Sequence, residues 1–178
     1  TKSLFERPVL GLFLAQCPGS RILDLGCGSG DPIALEFVRR GCRVTGVDGA
    51  RSMVELFAAN LPGERVVHHD MRTLALGERF DGIVAFDSFF HLKPDDQRAM
   101  FPVFAAHAAP GAALLLTTGP DAGEAYGTVE GEAVYHASLS PAEYRALFAA
   151  HGFREIAFRP EDPECDRHTV WIAGREGA

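Results

Sequence analysis

The stretch Ile22-Leu23-Asp24-Leu25-Gly26-Cys27-Gly28-Ser29-Gly30-Asp31-Pro32 decides how the rest of this 178-residue chain is read. Ile22, Leu23 and Leu25 suit a buried strand, and the three alternate glycines that follow permit a tight turn and close approach of the backbone to a ligand. Asp31 and Pro32 then read as an N-cap and a first-turn proline, so the stretch is a strand, a glycine loop and the start of a helix. A ligand is expected on the loop. The dinucleotide fingerprint G-x-G-x-x-G would need its third glycine at position 31, where Asp31 stands, and this disfavours a nicotinamide oxidoreductase.

Downstream, Ile33, Phe37 and Val38 give a helix over 32–40 that Gly41 terminates. Arg43-Val44-Thr45-Gly46-Val47-Asp48 is a strand ending in an acid, whose carboxylate can accept from both hydroxyls of a ribose or act as a cap or turn residue. Ser52-x-x-Glu55 has capping-box spacing and starts the next helix, with Met53, Leu56 and Phe57 facing inward as far as Asn60. Arg65-Val66-Val67 forms a third strand, followed by His68-His69-Asp70-Met71. Adjacent residues of an extended chain point to opposite faces, so His68 and His69 do not share an ion and no metal is expected. A fourth strand spans 80–87, and Ser88-Phe89-Phe90-His91-Leu92 after it should line a cleft, each phenylalanine being equally readable as core.

At the amino end, Leu4, Phe5, Val9, Leu12 and Phe13 have helical spacing interrupted by Pro8 and Gly11, which predicts a broken or short helix within a helical cap over residues 1–20. Beyond the fourth strand, Pro94 opens a helix that should kink at Pro102, and Pro110-Gly111 turns into a fifth strand over 112–116. Residues 119–138 read as an irregular insertion on the substrate side, carrying Tyr126, Tyr135 and His136. Ser140-Pro141-Ala142-Glu143 starts a last helix that Gly152 ends. Segments 153–158 and 168–173 are joined too briefly for a crossover helix and should pair antiparallel.

The acid at Asp24, one apolar residue, then Gly26, Gly28 and Gly30, with Asp48 and Asp70 after the next two strands, resembles the class I S-adenosylmethionine (SAM)-dependent methyltransferases of the small-molecule type. The resemblance covers residues 21–173. It implies an α/β fold: a Rossmann-like three-layer sandwich around a seven-stranded, mostly parallel sheet with an antiparallel C-terminal hairpin. It further implies a site for SAM and its product S-adenosyl-L-homocysteine, built from Asp24, Gly26, Cys27, Gly28, Gly30, Asp48, Gly49, Met53, Asp70, Met71, Phe86 and Asp87. In that site Asp48 would hold the ribose, Asp70 and the backbone N–H of Met71 the adenine, and Asp87 the sulfonium or amino end. Family members often carry a small polar cap two residues after the ribose acid; here that position is Ala50, so the cap is displaced.

The length suits a single domain spanning 1–178, and the 47% hydrophobic content is that of a soluble globular protein. A formal charge of −7 opposes nucleic acid, and no apolar run approaches the roughly 20 residues of a membrane span. The four cysteines show no metal-ligand spacing and no signal peptide is visible, so a cytoplasmic, reduced protein is expected, as monomer or homodimer. The abrupt start at Thr1 suggests that residues precede it in the full protein. Methyl transfer from a sulfonium is a direct displacement that needs alignment and exclusion of water more than a covalent nucleophile. A base helps with hydroxyl or acid acceptors, and His91 and His136 are the candidates, with Tyr126 as an orienting group. The competing reading is a SAM-binding module without catalysis, acting as a regulatory partner.

Overall fold

The computed structural model describes residue 4 and residues 6–177, so Phe5 lies outside the described residues. Helix α1 (Arg7–Gln16) leads to strand β1 (Arg21–Leu25), and α2 (Ile33–Arg39) to β2 (Arg43–Asp48). Helix α3 (Arg51–Asn60) precedes β3 (Arg65–His68), which is followed by β4 (Phe80–Ala85), α4 (Pro94–His107) and β5 (Ala108–Thr118). Strands β6 (Gly123–Val129) and β7 (Glu132–Ser138), helix α5 (Pro141–Ala150), and strands β8 (Phe153–Asp162) and β9 (His168–Arg175) complete the order.

Seven strands form one sheet in the order β3-β2-β1-β4-β5-β9-β8. The first five are mutually parallel, and β9 runs antiparallel between β5 and β8. Because side chains alternate along a strand, each central strand feeds two cores. Ile22, Leu115, Val170 and Ile172 pack with Val9, Phe13, Phe37 and Phe57 of α1, α2 and α3. Leu23, Leu25, Leu114, Leu116 and Trp171 pack with Met100, Phe101 and Phe104 of α4 and with Tyr144 and Phe148 of α5. The sandwich is therefore three-layered, as the sequence predicts. Among the described residues, no helix is long and apolar enough to cross a membrane.

The departures from expectation are local and each has a physical reason. Helix α1 is unbroken, because Pro8 falls in its first turn, where no N–H partner is needed. Helix α4 likewise continues through Pro102; the lost hydrogen bond, worth about 3 kcal/mol, is outweighed by burial of Met100, Phe101 and Phe104. Asp31 caps nothing: α2 begins at Ile33 after a cis Asp31-Pro32 bond, and the N–H of Leu35 reaches back to the C=O of Gly30 at 2.8 Å. Helix α3 starts at Arg51 rather than at a Ser52 capping box, and its turn places Phe57 inside while Leu56 stays 46% exposed. Strand β5 extends back through Pro110-Gly111, with a register shift where Ala108 pairs with Phe80 and Ala113 with Gly82.

Residues 119–138 are not irregular. Most of them form the β6–β7 hairpin, turned at Glu130-Gly131, where both residues have positive φ as a two-residue hairpin turn requires. A buried polar network fastens the hairpin to the helices. Gln97 of α4 donates through Nε2 to the C=O of Leu92 (3.0 Å) and of Ala137 (2.8 Å), and its Oε1 accepts from the Tyr144 hydroxyl at 2.6 Å. That hydroxyl also accepts from the N–H of Leu139 at 3.0 Å. Tyr144→Phe leaves Gln97 and Leu139 each short of a partner in a dry environment, so it should lower unfolding stability by about 1–3 kcal/mol. Denaturant titration checks this; an unchanged midpoint would show that water replaces the hydroxyl.

Candidate active site

The chain leaves β1 toward β2 and β3, and leaves β4 toward β5, so the carboxyl ends of β1 and β4 bound the crevice where open α/β sheets take ligands. The glycine loop is folded over the end of β2 by two hydrogen bonds: the N–H groups of Gly26 and Cys27 donate to the C=O of Val47 at 2.8 and 3.1 Å. Gly26, at φ 72°, cannot carry a side chain, since a Cβ there would stand 2.3 Å from that of Ser88. Ser88 is itself fixed by donating to the C=O of Leu25 at 2.7 Å. Gly28 differs. At φ 55°, a Cβ on it would meet nothing within 4 Å, so bare backbone faces open space.

Asp48 is where the sequence placed it, at the end of β2, and it binds both neighbouring segments. Its Oδ2 accepts from the N–H of Gly28 and its Oδ1 from that of Ala50, each at 2.9 Å. The second bond holds the residue before α3, which explains how that helix starts without a polar cap at position 50. Each oxygen retains a further lone pair.

Asp24 lies in the central strand, 2% exposed. Burial, reinforced by the charge of Asp48, pushes its carboxyl up to about 7. Cys27 beside it is pushed upward by burial and then by Asp24 and Asp48, so its thiol stays protonated and is not a nucleophile. The methyl of Met71 would lie 3.2 Å from a Cβ on Gly26, placing it against the loop. Gly49 accepts from Nε2 of His68 at 3.0 Å, whereas His69 turns to the C=O of Asp70 at 2.7 Å. Met53 is half-buried on α3. Asp70 is engaged rather than free: it accepts the backbone N–H of Arg72 at 2.9 Å and that residue's guanidinium through both oxygens, which holds its carboxyl below the usual range.

On the other side of β4 lies a cavity of about 500 Å³, walled by Phe90, Thr118, Gly119, His136, Ser138 and His168 among others. The β6–β7 hairpin forms one flank. Phe90 and His136 meet edge to face at 4.9 Å, and the rings of His91 and His136 are 5.1 Å apart. His91 points its Nδ1 at the C=O of Tyr135 (3.0 Å) and, with Tyr126, lines a separate cavity of about 420 Å³ beside Arg72 and Lys93. The structure thus brings the two predicted histidines together and places Tyr126, 78% exposed, on the far flank. Phe89 is not a cleft residue, being fully buried among Phe101, Phe104 and Tyr144.

Neither ring nitrogen of His136 is hydrogen-bonded among the described residues. Burial, and then His91, lower its pKa against the raising effect of Asp87, so the ring is neutral and able to take a proton near pH 7. Asp87 follows β4 in the left-handed region, with φ 54°. Sequence reasoning did not single out its partner, His168, whose Nε2 lies 2.7 Å from Oδ1 of Asp87. The two are far apart in the chain, and only the register of β9 against β5 joins them. Phe86 packs on the His168 ring at 5.1 Å.

A parallel sheet with a glycine loop after β1, an acid after β2 and an open crevice beyond β4 defines a nucleoside-binding α/β domain. Residues 22–111 match the family model Methyltransf_25, described as a methyltransferase domain, and the chain belongs to that family. It is 32% identical over 112 residues to a ubiquinone biosynthesis O-methyltransferase of Hahella chejuensis (strain KCTC 2396), a match covering 58% of this chain and 45% of that protein. It is 36% identical over 101 residues to the S-adenosyl-L-methionine-dependent Diels-Alderase iliD of Neonectria sp. (strain DH2), covering 49% and 40% respectively. The chain therefore spans less than half the length of these curated relatives. Its fold is also that of SAM-bound CalS10, an amino pentose methyltransferase from Micromonospora echinaspora, with TM-score 0.77 and 25% identity over 98% of this chain and 92% of that one.

The displaced titration of Asp24 predicts a pH-dependent stability. Its folded value of about 7 exceeds the unfolded value near 4, so the favourable contribution present at low pH is lost as pH rises between them. Asp24→Asn, neutral at every pH, should therefore gain on the wild type from pH 4 to pH 7 and hold an advantage of about 1–3 kcal/mol above it. Thermal unfolding of the ligand-free proteins across pH 4–9 tests this, and equal pH profiles would show that Asp24 is solvated.

Proposed function

We propose that this chain is a SAM-dependent methyltransferase acting on a small-molecule acceptor. The observation that carries the proposal is the pairing of an exposed backbone at Gly28 with two carboxylates, Asp48 against the loop and Asp24 buried behind it. A nucleoside needs the close backbone approach that only glycine allows, and Asp48 has lone pairs for ribose hydroxyls. The donor set also fits a cation. A positive group near Asp24 would favour its ionised form and relieve the mutual repulsion with Asp48.

When bound, SAM supplies a methyl carbon on a cationic sulfur, and displacement leaves S-adenosyl-L-homocysteine as the neutral thioether. The chain's own contribution is placement. The loop and Asp48 would hold the nucleoside at the ends of β1 and β2, and the 500 Å³ cavity beyond β4 would take the acceptor across from it. Such alignment is worth roughly 7–11 kcal/mol of a barrier. His136 has the protonation state and the unbonded nitrogens to receive the acceptor's proton as its heteroatom bonds to the methyl carbon. Cys27 takes no part, and Tyr126, across the hairpin, serves at most the outer part of an acceptor. In the adenine region, Asp70 would have to exchange part of its bond with Arg72 for the amino group. A cytoplasmic setting and a monomer or homodimer remain part of this reading.

Calorimetry with SAM and S-adenosyl-L-homocysteine, followed by transfer of labelled methyl to a metabolite library, tests the assignment. Asp48→Ala should weaken SAM binding by about 1.5–3 kcal/mol, the scale of hydrogen bonds to a charged group; unchanged affinity would remove the ribose role. His136→Ala should lower transfer by about 10²–10⁴-fold at pH 7 with SAM affinity within twofold, the loss shrinking as pH rises and the acceptor ionises unaided. A pH-independent loss would instead mark His136 as a positioning group. Two relatives bear the name S-adenosyl-L-methionine-dependent Diels-Alderase, which favours a second reading in which the chain binds SAM without transferring its methyl group. Saturable SAM binding with no labelled product from any acceptor would support it.

A further inference from the structure

We propose that His168 is a positioning residue for the transfer reaction, holding the carboxylate of Asp87 at the boundary between the SAM crevice and the acceptor cavity. The inference rests on the function proposed above and adds a residue to it.

Both ring nitrogens of His168 are occupied. Nδ1 faces the C=O of Cys165 at 2.6 Å and Nε2 faces Oδ1 of Asp87 at 2.7 Å. A carbonyl and a carboxylate only accept, so both nitrogens donate and the ring is an imidazolium. Hydrogen bonding to the Asp87 carboxylate, then to Cys165, pushes its pKa up to about 11 against the opposing effect of burial. No lone pair is left for a proton from an acceptor, so His168 cannot be the base, although it lines the same cavity as His136.

The chain is shaped to deliver this ring. Asp166 and Arg167, the two residues before it, are both in the left-handed region at φ 48° and 59°, a conformation that a long side chain such as arginine rarely adopts. They are held there by the N–H of Arg167 donating to the C=O of Asp162 at 2.8 Å. At the other end of the bond Asp87 is also left-handed, its N–H held by Oγ1 of Thr117 at 2.8 Å. Left-handed backbone on both sides of one ion pair, held by hydrogen bonds at each end, fixes the two side chains against each other in the crevice wall. Released from His168, the half-exposed Asp87 carboxylate would be free to swing away from its place at the end of β4, just before the Ser88 that packs on the glycine loop, where it would face the cationic end of SAM.

A double-mutant cycle on SAM affinity tests the assignment. His168→Gln keeps a hydrogen-bond donor without the charge, and Asp87→Asn removes its counterpart. Each should weaken SAM binding about tenfold or more and lower kcat, and the double variant should be no worse than the weaker-binding single one. His168→Lys, which retains a cation, should recover part of the affinity. Affinity in His168→Gln equal to wild type, or single effects that multiply in the double variant, would overturn the proposal while leaving SAM binding by the wild type intact. Absence of SAM binding by the wild-type protein would overturn both this proposal and the function beneath it. Thermal unfolding separates loss of fold from loss of site. Should His168→Gln fail to fold, NMR of the wild-type protein and of Asp87→Asn decides the matter: a His168 ring still doubly protonated at pH 8, and titrating near the ordinary value in Asp87→Asn, is required, and a neutral ring at pH 8 refutes it.

Discussion

A carboxylate buried in the central strand sets the terms for this molecule. Strand β1 is packed on both faces by helices, and such a strand ordinarily carries only apolar residues; Asp24 interrupts the run Ile22-Leu23-x-Leu25 at 2% exposure. Its ionisation in the free protein is opposed by desolvation and by Asp48 together. The rest of the ligand side follows from keeping that region open. The glycine loop is turned away from β1 onto the C=O of Val47, so the volume above Asp24 and Asp48 is bounded by backbone at Gly28 instead of by a side chain. A core of this quality tolerates one such destabilising group, because Trp171, Phe101, Phe104, Phe148 and Tyr144 are all fully buried on the opposite layer.

The acceptor side is built on a different principle. The β6–β7 hairpin is not part of the main sheet, and its root is fixed by polar contacts, with Gln97 and Tyr144 gripping the backbone at Ala137 and Leu139. Beyond the root, His91 also bonds the C=O of Tyr135 at 3.0 Å, so His136 lies between two fixed points of β7. Tyr126, opposite Tyr135 on β6, is 78% exposed. The two side chains therefore line different cavities.

The strands, glycine loop and acid positions of residues 22–70 were legible, because their signals are local: glycines at fixed offsets, and acids that close strands a few residues long. The acceptor half was less so. Residues 119–138 hide their alternation, since glycine and charged residues occupy positions where a half-buried strand would show valine or isoleucine, and both faces of much of the hairpin are exposed. Phe89 looked like a cleft residue by proximity to Asp87, but the short helical turn after Ser88 rotates it into the α4–α5 core and leaves Phe90 outside. Proline positions misled in both directions. Pro8 sits in a first turn that needs no N–H partner, Pro102 in a helix whose packing outweighs one lost hydrogen bond, and Pro32 stands before its helix instead of inside it. His168 left no local signal at all, as its partner is supplied by the pairing of β9 with β5.

The histidines show why residue type alone could not assign these roles. His68 and His69 bond to the backbone carbonyls of Gly49 and Asp70, His91 to the carbonyl of Tyr135, and His168 to a carbonyl and a carboxylate at once. Each of those contacts uses the ring as a donor and fixes it in place. In the cavity, then, a cationic ring fully committed to protein acceptors stands near a neutral ring with uncommitted nitrogens, and the Asp87 carboxylate acts on both: it holds the first charged and raises the second only against burial and His91. The ion pair across β4 and β9 fixes where the Asp87 carboxylate stands, and with it the direction from which that charge reaches His136.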